Sequence, residues 1–345
     1  MTNNLQPGGA LPYYMRKVLN QLSAYETLSQ SAAKEALEGI TSGLVNDAQI
    51  TSFISTYMMR QPTIDELAGF SAALLEQSIT LPIEAADAID IVGTGGDGKN
   101  TFNISTLSAF VVAGAGHRVV KHGNYAASSV SGSSNVLELL GYRFTDDADL
   151  LNRQLDRAGI CFLHAPLFHP VMKRLGPIRR NMGVRTFFNL LGPLTNPVQP
   201  GYQLLGVNSL SVARMYHYLL QAIGKTRYAI IHTLDGYDEV ALTDAVRVYG
   251  NETDALIQVE ELGFAAIDPK AIEGGNTVES AAHIFMDVLS HRATTEQRNV
   301  VLANSALALR MYHPSYSFSD CLQLAADSLD SGKARQSFET ATQIK

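Results

Sequence analysis

Five short runs of apolar and β-branched residues punctuate the middle of the chain: AIDIV at 88–92, HRVVK at 117–121, ICFLH at 160–164, YQLLGV at 202–207 and RYAIIHT at 227–233. Glycine-rich turns and stretches of helical periodicity separate them. That alternation predicts βα units and a largely parallel sheet. Residues 12 to about 80 read differently, as helix only. The run from Tyr14 to Leu28 is apolar at helical spacing, and Asn46 with Gln49 and Thr63 with Glu66 are capping-box pairs. The run FFNLLGPLTNPVQPGYQ carries three prolines and is expected to be mostly non-helical after Leu191. The expected fold class is therefore α/β: a small all-helical domain plus a larger α/β domain with a mostly parallel central sheet. The helical domain is placed at 1–85 with a returning segment at about 168–190, and the larger one at 86–167 and 191–345. A ligand cleft is expected between the two.

Composition narrows the function. The 345 residues carry a net charge of −7, which argues against a general nucleic-acid binder. Cys161 and Cys321 stand far apart with no C-x-x-C, and read as small buried apolar residues in a reducing compartment. No apolar run is long enough to span a bilayer, and the N-terminus has no charged start followed by an apolar core, so a cytoplasmic protein is expected.

The stretch DIVGTGGDGKNTFNIST, from Asp90 to Thr106, contains two phosphate-binding patterns at once. Gly93, Gly95 and Gly98 spell G-x-G-x-x-G, and Gly93 through Lys99 spell G-x-x-x-x-G-K. Each fails at its discriminating position. A dinucleotide site wants an acidic residue about 20 positions on, but the second strand ends in Lys121-His122. A P-loop wants Ser or Thr after the lysine, and Asn100 stands there. The neighbours still point to an anion. Asn103, Ser105 and Thr106 lie at a helix start, where free N–H groups and the positive dipole end attract negative charge, although Thr106 taken alone reads as an N-cap. Lys121 ends a buried strand, an expensive place for an ammonium with no anion to meet. Ser128, Ser129, Ser131, Gly132, Ser133 and Ser134 then form a second donor cluster before a second helix. Two anion cradles and one basic side chain imply a ligand with phosphates at both ends.

Taken together, GTGGDG at 93–98, NIST at 103–106, KHGN at 121–124, SS-x-SGS at 128–133, GVRTFFNLLGPLTNP at 183–197 and GYDE at 236–239 resemble the anthranilate phosphoribosyltransferase family, in order and spacing, from about residue 20 to 320. The resemblance implies transfer of a phosphoribosyl group from phosphoribosyl pyrophosphate to the amine of anthranilate, usually by a homodimer. It implies that Gly93, Gly96, Asp97, Thr101, Asn103, Ile104, Ser105 and Thr106 hold pyrophosphate and ribose. Lys121, His122, Gly123, Asn124, Ser128, Ser129 and Ser133 would complete that site. Ser105, Asp238 and Glu239 would ligate Mg²⁺, and Gly93, Asn124 and Arg179 would meet anthranilate, with His122, His169, Gly192 and Pro193 near it. Preference for Arg179 over Arg180 or Arg185 rests on the resemblance alone, and packing is as good a reading of His164 and His169. No acid–base residue is assigned, because a weakly basic aromatic amine attacks without prior deprotonation.

Three positions depart from the family pattern. Tyr125 replaces an arginine, Val130 a lysine and Asn135 an aspartate, all at the phosphoribosyl end. Two rival readings remain. A pyrimidine nucleoside phosphorylase lacks support because Ile91-Val92-Gly93 stands where that family has Lys-His-Ser. A non-catalytic nucleic-acid-binding relative would need a wide basic surface.

Overall fold

The computed structural model describes residues 10–125 and 131–344. The chain divides into two compact units, Met1–Ile79 with His169–Thr195, and Thr80–Phe168 with Asn196–Lys345.

The first unit opens with α1 (Ala10–Ser23), α2 (Gln30–Thr41), α3 (Asp47–Met59) and α4 (Ile64–Glu76). Both expected capping boxes are formed. Asn46 accepts the Gln49 N–H at 2.9 Å, and Thr63 accepts the Glu66 N–H at 3.2 Å. Glu66 does more than cap. It is fully buried, and its carboxylate receives the Leu28 N–H at 2.9 Å, the Tyr57 hydroxyl at 3.0 Å and a two-pronged Arg60 guanidinium at 2.6 and 2.8 Å. Burial alone would raise its pKa, but Arg60 and the Leu28 and Thr63 N–H groups outweigh that and hold it low. Beside this ion pair, Phe53, Tyr57, Phe70 and Phe187 pack with ring centroids 4.8–6.1 Å apart. Phe187 comes from the chain's return to this unit.

The second unit begins β1 (Ile89–Gly93), α5 (Ile104–Gly114), β2 (Val119–Gly123), α6 (Ser133–Leu139), α7 (Ala148–Ala158), β3 (Ile160–His164) and α8 (Ala165–Phe168). The chain then forms α9 (Val171–Met182) in the first unit, followed by 3-10 turns at Phe187–Leu190 and Gly192–Leu194. It returns as β4 (Tyr202–Gly206), α10 (Leu210–Ala222), β5 (Tyr228–Thr233), β6 (Val246–Gly250) and β7 (Asp254–Ile257). The helices α11 (Val278–Leu289), α12 (Thr295–Tyr312), α13 (Phe318–Asp330) and α14 (Lys333–Gln343) close it. The strands order as β3-β2-β1-β4-β5-β6-β7, parallel through β5 and antiparallel across β6 and β7. All five strands expected from the sequence are present; β6 and β7 are additional. The core lies along α5, whose Leu107, Phe110 and Val111 pack with Phe285, Leu309 and Phe338. Cys161 and Cys321 are buried and unbridged, as expected.

Because the chain moves outward from β1 through β2 to β3 and then resumes on β1's other side with β4, the switch in direction falls between β1 and β4. Crevices at the carboxyl ends of strands at such a point are where open α/β sheets bind ligands.

Replacing Glu66 by Ala leaves a half-buried guanidinium and two N–H groups unmatched, and is expected to destabilise the protein by about 2–4 kcal/mol, the exposed edge of Arg60 softening the loss of a buried pair. Since the folded-state pKa is depressed, this stabilisation is present above the ordinary carboxylate value of about 4.3 and is lost as pH falls below it. Urea midpoints of the two proteins, separated at pH 7, should converge towards pH 3.

Candidate active site

Gly93 and Gly206 are direct partners at the ends of β1 and β4. A methyl group on Gly206 would collide with the Asp238 carbonyl, and one on Gly93 with the Asp238 carboxylate. The turn after β5 therefore lies against the sheet at the switch point because neither strand has a side chain there. From this position Asp238 Oδ2 accepts the Gly95 N–H at 2.7 Å, and Glu239 Oε1 accepts the Ser105 N–H at 3.1 Å. The acidic turn thus holds both ends of the glycine loop.

Within the loop, Gly95, Gly96 and Gly98 have φ of +61°, +71° and +76°, a region that disfavours other residues. Lys99 places its ammonium 4.4 Å from the Tyr237 ring centre. The loop's exit is strapped to a later segment: the Asn100 side chain donates to the Gly275 carbonyl, and the Gly274 N–H to the Asn100 carbonyl, each at 2.6 Å. Thr106 is not an N-cap; it sits inside the first turn of α5. Asn103 holds the cap position, but its side chain makes no cap hydrogen bond. Asn103 Oδ1 and Thr106 Oγ1 are buried without hydrogen-bond partners, leaving polar atoms aimed at no protein group.

The acidic pair is gripped from behind. Asn304, buried midway along α12, accepts the Val240 N–H at 3.0 Å and donates to the Val240 carbonyl at 2.9 Å. The Thr233 hydroxyl donates to the Glu239 carbonyl at 2.5 Å and accepts the Ala241 N–H at 3.2 Å. Burial, then repulsion from Asp97, pushes Asp238 up to about 7. Burial, then repulsion from Asp238 and Asp97, drives Glu239 well above the usual carboxylate range. Glu239 Oε2 is buried with no well-formed hydrogen bond, and the Thr101 side chain lends the carboxylate only slight relief.

Lys121 lies buried in β2, and the protein itself supplies part of what its ammonium needs. Its ammonium donates to the Ile91 carbonyl and lies 3.5 Å from Ser105 Oγ. Burial lowers its pKa, and the charges of Asp90, Glu239 and Asp238 pull it partly back. Asp90 is raised to about 6 by burial, against the opposing pull of Lys121 and of Asn196. Its oxygens accept the His122 N–H at 3.1 Å and the Asn196 side chain at 3.0 Å.

Of the second cradle, Ser128, Ser129 and Val130 lie outside the described residues. Ser133 donates weakly to the Asn124 carbonyl at 3.4 Å, beside Gly123. Ser134 pairs with His164 Nδ1 at 3.0 Å, and Asn135 accepts the Gly132 N–H at 3.1 Å, capping α6. Tyr125 donates to Glu138 at 2.8 Å.

The remaining expected contacts belong to the helical unit. Arg179 is half-buried on α9, donating to Asn189 at 2.9 Å with its guanidinium 5.3 Å from the Phe188 ring centre, whereas Arg180 and Arg185 are exposed. His169 is buried and donates through Nε2 to the Thr195 carbonyl at 2.9 Å. Gly192 and Pro193 form the 3-10 turn nearby in the chain.

This geometry is accompanied by close relatives. Residues 85–335 match the glycosyl transferase family α/β domain, and residues 14–78 the same family's helical bundle domain. An anthranilate phosphoribosyltransferase of Cytophaga hutchinsonii is 48% identical over 95% of this chain and 99% of its own. The chain belongs to the anthranilate phosphoribosyltransferase family. Solved structures of the family agree in fold. The Thermus thermophilus enzyme superposes with a TM-score of 0.87 at 31% identity, covering 94% of this chain and 98% of that one. The Saccharomyces cerevisiae enzyme in complex with PRPP and Mg gives 0.88 at 26% identity, covering 97% of each.

Gly206, Asn304, Asn196 and Gly274 support the site and were not singled out in the sequence. Only Gly206 had a readable signal, a glycine closing a predicted strand.

Without divalent cation, Asp238 favours the fold most when protonated. Its folded pKa is raised, so its contribution is fully present below about 4 and lost as pH rises through about 7. Melting temperature should fall between pH 5 and 8, and Asp238→Asn, whose amide oxygen can still accept the Gly95 N–H, should flatten that fall.

Proposed function

We propose that this protein is an anthranilate phosphoribosyltransferase, transferring the phosphoribosyl group of phosphoribosyl pyrophosphate to the anthranilate amine, with release of pyrophosphate, in tryptophan biosynthesis. One observation carries the reading: an acidic turn hydrogen-bonded to both ends of a phosphate-type glycine loop, in a chain 48% identical to relatives of that name over nearly all its length.

The donor set fits Mg²⁺. Two carboxylates kept from ionising freely by burial and mutual repulsion, one with a poorly satisfied buried oxygen, gain from a hard cation. Among the described residues no group of three or more His, Cys, Asp and Glu side chains forms a metal cage, in keeping with an ion that takes its other ligands from water and phosphate. Asp238, Glu239 and the Ser105 hydroxyl would hold it, and bound there it neutralises charge on the departing pyrophosphate. The N–H groups and side chains of Gly93, Gly96, Asp97, Thr101, Asn103, Ile104, Ser105 and Thr106 would bind the pyrophosphate and ribose. Lys121 through Asn124, with Ser128, Ser129 and Ser133, would complete the grip at the sugar-phosphate end.

Arg179 would orient the anthranilate carboxylate in a charge-assisted, two-pronged hydrogen bond, with Gly93 and Asn124 against the same substrate. Asn189 and Phe188 pre-set that guanidinium. The amine is neutral near pH 7, so no general base is needed. Rate enhancement comes from holding the nitrogen near C1 and stabilising the leaving charge. A homodimer in the cytoplasm is the working assembly; no described helix is long and apolar enough to cross a membrane.

Loss of anthranilate fluorescence in the presence of phosphoribosyl pyrophosphate and Mg²⁺ tests the reading. Turnover that stops with chelator is expected; base release from thymidine and phosphate instead would replace it with a nucleoside phosphorylase. Arg179→Ala should raise KM for anthranilate about 10- to 100-fold with a smaller change in kcat, the loss of a charged hydrogen bond. Lys121→Ala should fall chiefly on kcat/KM for phosphoribosyl pyrophosphate. Mg²⁺ affinity should increase from pH 6 to pH 8 as the proton on Asp238 departs.

A further inference from the structure

At the opposite end of the parallel strands, two histidines face each other. His117 lies in the loop entering β2, and His313 caps the C-terminus of α12. Their Nε2 atoms are 3.1 Å apart and their ring planes cross at 74°. Both rings are half-buried, and both are fixed by stacking. His117 lies on Tyr312 at a centroid distance of 4.2 Å and 25°, and His313 on Tyr316 at 4.7 Å and 17°. Tyr312 is itself anchored, its hydroxyl within hydrogen-bonding reach of the Asp87 and Arg118 carbonyls at 3.0 and 3.2 Å. The backbones are tied as well, His117 N–H to the Val112 carbonyl and His313 N–H to the Leu309 carbonyl.

We propose that His117 and His313 form a binding site for a divalent transition metal of the zinc class, separate from the phosphate loops. Two zinc–nitrogen bonds of about 2.05 Å meeting at about 100° hold their nitrogens about 3.1 Å apart. That is the separation observed, so the two nitrogens already stand at chelating distance. Imidazole nitrogen selects zinc, copper or nickel over magnesium, whose preference is for oxygen. No third His, Cys, Asp or Glu joins the pair to complete a cage among the described residues, so the other positions belong to water and the site is an open, exchangeable one. The two histidines are distant in sequence, and a bridging ion would staple the end of α12 to the start of β2, stabilising the folded state by mass action.

The test is calorimetric titration of the full-length protein with ZnCl₂ at pH 7.5, in excess MgCl₂ to keep the carboxylate cluster occupied, alongside His117→Gln and His313→Gln. The wild type should bind one more zinc equivalent than either variant and gain melting temperature on binding. Both variants should lose that equivalent and that gain while keeping Mg²⁺-dependent turnover, which shows them folded. Equal zinc stoichiometry in all three proteins overturns the proposal. So does a variant that melts lower without zinc while zinc stabilises none of the three, the signature of a plain N–H···N hydrogen bond.

Discussion

Two facing glycines decide how closely the acidic turn approaches the sheet. With any side chain at Gly206, the Asp238 backbone could not lie over the ends of β1 and β4. Because it does, one carboxylate reaches the start of the glycine loop and the next reaches the first turn of α5. A loop already strapped at its exit through Asn100 is braced at both ends by carboxylates. Asn304 and Thr233 then fix the turn from the core side, using backbone groups that have no ladder partner there. Close approach, loop conformation and the placement of the carboxylates are one arrangement.

That arrangement concentrates unlike costs in one place. Asp97, Asp238 and Glu239 repel one another in a dehydrated pocket, and Lys121 sits buried within range of the last two and of Asp90. None of these groups is comfortable in its ordinary charged state. Such tension is common where a protein is built to receive a charged ligand, because the ligand completes a neutralisation that the protein leaves partial. The net charge of −7 is compatible with this since the compensating groups are local.

Much of this was legible before any coordinates. Strands β1 to β5 announce themselves as short apolar or β-branched runs separated by turns and helical stretches, and the caps of α3 and α4 by paired side chains three residues apart. β6 and β7 were missed because VRVYG and DALI carry the charged Arg247 and Asp254 and follow β5 as an antiparallel extension of the sheet, with no helix between them to set a βα rhythm. Asn304 was invisible for a different reason: an asparagine within the apolar stretch Val300–Leu309 gives no sign of which backbone it will satisfy. Thr106 misled because its side chain suits a cap, whereas the chain starts the helix earlier, at Asn103. Arg179 could be chosen among the basic residues of α9 only by resemblance. Its burial against Phe188 depends on the fold of the returning segment, which no local pattern encodes.

The helical unit is assembled from two stretches of chain, and the second supplies Phe187 to an aromatic cluster whose other members all come from the first. During synthesis, then, α1 to α4 emerge long before the ring that fills their shared pocket. Three strands, β1 to β3, are made in between. The entropic penalty of joining ends so far apart grows only slowly with length. What the delay exposes is time, an interval in which Phe53, Tyr57 and Phe70 have one another and the Glu66–Arg60 pair beside them, but not the ring that completes their cluster.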